Sequence, residues 1–593
     1  MLCEIPTTWL VAACLVGAPS LASSTPVAPS TSAAVTATAQ DSLVRVLVRV
    51  SRDSAGAIAV DGALVRSGTQ QARTDPRGDA VLRLPAGAHV IRAGRLGLRP
   101  DSATLVLRAR GDTSIVLVLA RQALALEGVV VSSTRGERRV EDTPLRVEVI
   151  DEEEIAEKVA MTPGDIAMML NETGGLRVQT TNPSLGGANV RIQGLRGRYS
   201  LILADGLPLY GGQAGGLGLL QIPPVDLGRV EIIKGSASAL YGSSALGGVI
   251  NLLSRRPGAE AERTVLLNQT SRGGTDAVYF GGGPMSPVWG YTLLAGAHVQ
   301  RRNDLDEDGW TDLAGYERAV LRPRFYFDNG TGRTAFVTAG YTAETRTGGT
   351  VDGGVVPGGG AFGESLDTRR ADLGGLVRWV LDRTGPLDGA VATLRGSAMQ
   401  QQHAHGIGDI SEDDRHRTVF SEAALAIPRV YGSRSVTYVL GVAVQQEAYR
   451  NSDVPAFNYM FSIPAAFAQL DVDAASWLSV SGSVRADAHS EFGTFVNPRV
   501  SLLMRGPADG ALSEWLTRWS LGTGAFAPTP FTEETEATGL TPLMLPVGGL
   551  GALSAERAAS ASVDVGGPLN TAVGRLELNG TLFGSRVSNP LQV

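Results

Sequence analysis

Residues 229–257 read RVEIIKGSASALYGSSALGGVINLLSRRP. A β-branched run, Val230 to Ile233, leads into a Gly/Ser/Ala-rich turn and then a second apolar run, Gly248 to Leu253; this predicts two strands joined by a bent connection. Upstream, residues 190–212 read VRIQGLRGRYSLILADGLPLYGG, another strand pair with glycines at its bends. Glycine-rich turns before apolar runs also occur in ordinary hairpins and in phosphate-cradling loops. The phosphate reading fails locally. There is no Gly-Lys-Ser/Thr ending, and Gly215-Gly216-Leu217-Gly218 neither follows a clear strand nor has the acidic partner of a dinucleotide fold at the right distance.

Together the two segments resemble the plug domain of TonB-dependent receptors, over residues 128 to 257. The resemblance implies an α+β plug, residues 135–258, that closes the lumen of an outer-membrane barrel. It also implies a ligand site where plug apices meet the inner wall and outer loops. The candidate apex is Leu207 to Gln213, in which Tyr210 offers an aromatic face with a hydroxyl, Gly211 and Gly212 a bend, and Gln213 a two-sided amide. A turn with an incidental tyrosine is the other reading.

Just before the plug stands Glu127-Gly128-Val129-Val130-Val131-Ser132-Ser133-Thr134, followed by the basic Arg135 to Arg139. In position it resembles the TonB box, an extended peptide that adds a strand to the edge of TonB through backbone hydrogen bonds. A plain linker strand would read the same way.

After Pro257 the chain becomes a series of amphipathic strands. Leu478, Val480, Val484 and Ala486 alternate with Ser479, Ser481, Ser483, Arg485 and Asp487, and Val436, Tyr438, Leu440, Val442 and Val444 interleave with Thr437, Gly441, Ala443 and Gln445. That is the lipid-facing and lumen-facing alternation of a transmembrane barrel. A sandwich alternates too, so connection lengths decide. Short links at Asp328 to Gly332, Thr384 to Gly389 and Pro428 to Arg434 alternate with longer ones expected at Arg301 to Tyr316, Thr347 to Thr368 and His403 to Arg415, the rhythm of short inner turns and long outer loops.

Three further stretches resemble the family's barrel: Asn497 to Leu502, Gly522 to Pro528 with Glu533 or Glu534, and Leu553 to Arg557. Strand arithmetic gives roughly fifteen strands up to Val587, against roughly twenty-two in plugged outer-membrane transporters. Because an open sheet leaves backbone groups unpaired in hydrocarbon, the expectation is a partial barrel, residues 259–593, from a fragment or frameshifted gene.

Two outer-loop clusters are candidate sites. Asp304, Asp306, Asp308 and Asp312 place carboxylates at alternate positions around Gly309, oxygen ligands that suit calcium. The EF-hand spacing is not met, since its bidentate glutamate would fall at Gly315, and a solvated acidic loop is the alternative. Acidic loops of cobalamin-type receptors are similar and bind calcium. His403, His405 and His416 gather with Asp409, Glu412, Asp413 and Asp414, a set that could capture haem iron or a transition metal or stand solvated.

The N-terminal region fits this address. Residues 1–22 read as an export signal, with an apolar stretch from Trp9 to Gly17 and small residues before Ser23, although the n-region carries Glu4 and no Lys or Arg. Val11-Ala12-Ala13-Cys14 also fits a lipoprotein box. Both cysteines, Cys3 and Cys14, lie inside the signal. Residues 23–40 are a Ser/Thr/Ala/Pro linker without apolar periodicity. Residues 41–121 carry short alternating runs, Leu43 to Val50, Ala80 to Leu84 and Ile115 to Leu119, that predict a small antiparallel sandwich. The order of Asp61-Gly62-Ala63, Thr74-Asp75 with Gly78, Leu84-Pro85-Ala86-Gly87 and Gly97 resembles the non-catalytic carboxypeptidase-regulatory-like module.

The net charge of -7 argues against nucleic-acid binding, and no apolar run is long enough for a spanning helix. The expected fold is mainly β: a small N-terminal β-sandwich in the periplasm, an α+β plug, and an incomplete transmembrane antiparallel barrel in a Gram-negative outer membrane. What the resemblance implies is active import without enzymatic chemistry, energised by TonB with ExbB and ExbD. The cargo would be a small-molecule metal chelate, a ferric siderophore, cobalamin or haem. No cofactor is required beyond a possible Ca2+ in the acidic loop. A glycan or peptide importer, a signalling receptor and a surface adhesin are the alternatives. Mass spectrometry of the native membrane protein tests the partial-barrel expectation; a mature species ending at Val593 would contradict it.

Overall fold

A computed structural model describes residues 43–591 except 53–58, 69, 96–100, 109–111, 120–141, 163, 183, 211–218, 243, 352, 357–358, 382–384, 433, 508–509, 511, 513, 534 and 572–573. The signal, the linker, the TonB-box candidate 127–134, and Gly211, Gly212 and Gln213 lie outside the described residues.

The N-terminal domain contains β1 (Val44–Ser51), β2 (Leu64–Ser67), β3 (Gln70–Arg73), β4 (Asp79–Leu84), β5 (Gly87–Gly94), β6 (Asp101–Leu107) and β7 (Thr113–Val118). Two sheets, ordered β4-β1-β7 and β3-β2-β5-β6, face each other across Val46, Val48, Val65, Leu82, Ile91 and Leu117. Alternation in β1 sends every second residue, all four of its valines, into this core. The antiparallel expectation fails at one pair, because β7 lies parallel to β1. The chain crosses from the second sheet after β6, and so enters the first sheet from the end at which β1 starts.

The plug comprises β8 (Val147–Ile150), α1 (Glu152–Met161), α2 (Ala167–Asn171), β9 (Leu176–Asn182), β10 (Gly187–Ile192), β11 (Ser200–Ala204), β12 (Leu227–Lys234), α3 (Ser238–Tyr241) and β13 (Gly248–Ser254). The strand pair quoted first is β12 and β13, central in a sheet ordered β11-β13-β12-β8. Both faces of these strands are covered, so they read as near-continuous apolar runs. Gly248 enables their junction: its φ is +152°, and a Cβ there would stand 2.5 Å from the Ile233 carbonyl oxygen. α1 starts at Asp151, whose carboxylate accepts from the Glu154 N–H at 3.0 Å, and three glutamates occupy its positive first turn.

Fifteen antiparallel strands follow in chain order. They are β14 (Glu262–Gln269), β15 (Gly274–Pro284), β16 (Trp289–Gln300), β17 (Gly315–Asp328), β18 (Arg333–Gly349), β19 (Gly363–Val380), β20 (Val391–Ile407) and β21 (Ile410–Tyr431). The rest are β22 (Arg434–Asn451), β23 (Tyr459–Ala475), β24 (Leu478–His489), β25 (Gly493–Arg505), β26 (Leu516–Phe526), β27 (Glu556–Thr571) and β28 (Gly574–Ser588). The alternation is that of a barrel wall: β19 buries Leu366, Thr368, Arg370 and Asp372 while Arg369 and Leu373 point outward. Neither β14 nor β28 has a second strand partner among the described residues.

Two connections differ from expectation. β20 and β21 run on to Ile407 and Ile410, so no long loop separates His403 from Arg415; β18 and β19 likewise shorten theirs to residues 350–362. Both strands are polar above the apolar band, a composition that reads as loop, yet backbone pairing continues regardless of side chain. The long connection is instead residues 527–555, between β26 and β27.

The sandwich sits at the opposite, short-turn end. Arg52 pairs with Glu260 at 2.9 Å, and Gly94 approaches Gly330 so closely that a Cβ would lie 2.9 Å from its Cα. The plug fills the lumen at similar closeness: a Cβ on Gly348 would meet the Ser184 carbonyl oxygen at 2.2 Å, and one on Gly374 would meet Leu207 at 2.8 Å. Replacing fully buried Ile250 in the plug sheet by alanine is expected to cost about 2–5 kcal/mol, measured as a lower urea midpoint for protease cleavage of the plug.

Candidate functional site

Plug and wall meet through charges that neither surface could bury alone. On β17, Arg324 reaches plug Asp226 at 2.6 Å and lies 3.7 Å from plug Asp205. Arg318 donates to the plug carbonyl of Gly164 at 2.8 Å and pairs with Glu344 of β18 at 3.3 Å, while Glu344 also accepts from plug Gln221 at 3.0 Å. Arg346 donates to the Leu185 carbonyl at 2.9 Å, and Arg395 on β20 bridges Glu422 and the Gly206 carbonyl. On the far side, Arg198 and Tyr199 of the plug both hold Glu556, which is fully buried at the start of β27. Arg499 of β25 donates to the Ser236 carbonyl.

Tyr210 does not stand at an exposed apex. It is 5% exposed, packed between the guanidinium groups of Arg370 at 5.0 Å and Arg322 at 6.0 Å, and burial pushes its phenol above the ordinary range. The apolar Leu207 and Leu209 beside it, also buried, pull this turn against the wall. Sequence could not show this, because the arginines that cover Tyr210 lie more than a hundred residues away.

Above the plug, the inner faces of β20 to β25 form the wall of an outer vestibule. His403 and His405 are one strand apart from Asp414 and Glu412 in register, both histidines on the inner face of β20. His403 pairs with Asp414 at 3.0 Å through Nδ1 and meets the Gln401 amide through Nε2; the buried His405 Nε2 has no hydrogen-bond partner among the described residues. His416, fully buried, meets Glu447 at 3.1 Å, and Glu447 accepts from the Tyr459 hydroxyl at 2.8 Å. Asp413 faces the other side of the sheet and Asp409 is in the turn, so the expected histidine and carboxylate cluster divides between two faces.

A ladder of rings continues this wall and was missed in the sequence. Tyr459 stacks on Phe461 with centroids 4.3 Å apart, Phe461 meets His489 at 4.7 Å, and Tyr449 takes the edge of Phe531 at 4.8 Å. The signal was present as aromatic residues at spacing two, Tyr459 and Phe461, on a lumen-facing register. Phe531 belongs to the 527–555 connection, which covers the ladder with Leu540 and Leu550. Glu412 pins that connection, accepting from the Leu540 and Thr541 N–H groups at 2.8 and 2.7 Å, and Glu533 ties it to plug Arg191.

In the acidic loop, Asp304, Asp306 and Asp312 each bring a carboxylate oxygen to within 4.8 Å of the others. Asp308 is not in this group; its carboxylate accepts from the Trp310 N–H at 2.8 Å.

Residues 139–249 match the model of the TonB-dependent receptor plug domain. Over 198 residues the chain is 31% identical to the vitamin B12 transporter BtuB of Photobacterium profundum, a stretch that is 33% of this chain and 28% of that relative. It is 29% identical over 199 residues to the iron-regulated outer membrane virulence protein of Vibrio cholerae, 31% of this chain and 29% of that one. The matched stretch thus spans less than a third of these relatives. The fold resembles the siderophore receptor PirA from Acinetobacter baumannii, with a TM-score of 0.59 at 15% identity over 78% of this chain and 72% of that one.

Glu556→Ala leaves Arg198 buried without its counter-charge and is expected to loosen plug seating by about 3–5 kcal/mol, read as protease access to the plug at lower urea. Glu556→Gln, which keeps a hydrogen-bond acceptor, should loosen it less.

Proposed function

We propose that this chain is a TonB-dependent receptor of the outer membrane that imports a metal chelate, of which a ferric siderophore, cobalamin and haem are the leading chemistries, with energy delivered through TonB, ExbB and ExbD. The observation that carries the reading is a lumen filled by a plug held on several walls by buried ion pairs. Such a barrel does not conduct a large solute passively. Buried pairs are costly to break, and the outer membrane holds no nucleotide supply, so opening needs work brought by a partner. The candidate strand for that partner is Glu127 to Thr134, adding to the edge of TonB, with the N-terminal sandwich, which precedes it in the chain, in the periplasm.

The vestibule supports a chelate. His403, His405 and the Tyr449, Tyr459 and Phe461 ladder offer imidazoles and ring faces above the plug, and access requires the 527–555 connection to lift from Glu412. Tyr210, buried against the wall, would meet ligand only after the plug shifts. The relatives named for vitamin B12 transport and siderophore reception favour the same class. The appended sandwich favours a glycan importer as the second reading.

Radiolabelled cyanocobalamin and ferric siderophores, offered to cells expressing a full-length form, test the proposal. One of them should accumulate, and accumulation should fall to background without TonB or without residues 127–134. Uptake that survives both deletions would point to a passive pore.

The converging carboxylates of Asp304, Asp306 and Asp312 support a calcium site. Terbium luminescence sensitised by nearby Trp310 should be displaced by calcium and be lost in Asp304→Asn/Asp306→Asn; an unchanged signal would assign the loop to solvent.

A further inference from the structure

The outward face of the barrel carries a row of charges that plug, vestibule and acidic loop leave unused. Arg369, Gln402, Arg415 and Arg450 are direct cross-strand partners along β19, β20, β21 and β22. The alternation that buries Thr368, Gln401, His416 and Tyr449 against the interior turns this row the other way. Arg417 stands one outward position nearer the middle of β21. The four arginines are exposed, and none forms an ion pair among the described residues. Arg417 donates to Gln400 at 2.7 Å, Arg415 reaches Gln402 once that amide is turned to present its oxygen, and Arg450 reaches only a backbone carbonyl at 3.5 Å. They border an open hollow of about 910 Å³.

Their height on the wall is set by what lies below them. Leu373 is 57% exposed four residues along β19 from Arg369, and Val419 is 49% exposed two residues along β21 from Arg417. At roughly 3.4 Å per residue along strands tilted about 35–45°, the arginines stand about 5 to 11 Å above the first apolar row, at the level of lipid headgroups. The row is local. Continued through the register, it meets Ala343 on β18 and Ala319 on β17.

Like charges directly opposite across two strands destabilise a sheet, and Arg415 faces Arg450 in just this way. An anion between them removes the penalty. Phosphate suits guanidinium, which can grip it through two parallel N–H groups. Asp367 and Asp413 also border the hollow, one outward row farther from the apolar band, and Asp414 borders it with its carboxylate on His403 at 3.0 Å, so an anion at headgroup level meets the cations first.

We propose that Arg369, Arg415, Arg417 and Arg450 form a site for the phosphate of an outer-leaflet glycolipid whose acyl chains lie over Leu373 and Val419. This rests on the barrel being embedded in the outer membrane. The test takes a full-length form, extracted from outer membranes in mild detergent, delipidated, and offered bisphosphorylated lipid A, dephosphorylated lipid A or inorganic phosphate, with retained mass read by native mass spectrometry. The unaltered protein should retain the bisphosphorylated lipid. Arg369→Gln/Arg415→Gln/Arg450→Gln should retain at least about tenfold less, while Arg301→Gln at another outer position should match the unaltered protein. Heat-modifiable gel mobility checks that the variants fold, and the dephosphorylated arm needs no variant. Equal retention of the dephosphorylated lipid, equal retention by the triple variant, or binding of inorganic phosphate alone overturns the proposal. A chain that never enters the membrane fraction removes the embedded-barrel premise instead, a result distinct from an embedded barrel without lipid.

Discussion

The structure depends on burying arginine inside a barrel. A wall strand that faces lipid on one side must present something to the other, and here β17 to β20 present Arg318, Arg322, Arg324, Arg346, Arg370 and Arg395. The desolvation of such groups is too costly to leave uncompensated. Part of the compensation is within the wall, as where Asp372 takes Arg322 through both oxygens at 2.7 and 2.8 Å. The rest comes from the plug, through Asp226, Gln221 and the carbonyls of Gly164, Leu185 and Gly206. Plug and barrel therefore complete one polar core between them, and neither is a finished structure alone.

That division explains what could be read from sequence. Alternation in β24, where Ser479, Arg485 and Asp487 are buried and Val484 is exposed, is local and was legible. So was the β12 and β13 pair, because Gly248 and its neighbouring apolar runs encode their own turn. The fifteen strands were countable for the same reason. The pairings that seat the plug were not, since Arg198 and Glu556 stand 358 residues apart and either alone looks like a solvated surface charge.

The polar tops of the strands misled in the opposite direction. Residues 403–415 contain histidines, aspartates and glutamate in the proportions of an exposed loop, yet His403 pairs with Asp414 and His405 with Glu412 across a continuous ladder. Composition reports contact with solvent; backbone pairing is indifferent to that. Extension of the ladder splits the expected cluster by parity. His403, His405, Glu412 and His416 face the vestibule, and Asp413, Arg415 and Arg417 face outward.

One register thus writes two messages on the same strands. Its inward residues build a floor and wall in which Glu412 holds the 527–555 connection and Glu533 of that connection holds plug Arg191. A ligand that displaces the connection from the rings of Tyr449 and Tyr459 must disturb the Glu533 contact as well, because both anchor the same short piece of chain. On the proposed reading, occupancy above the plug and the hold on the plug are therefore linked on the β26 to β27 side. On the β17 side, Arg324 and Arg318 bind the plug with no such connection in between.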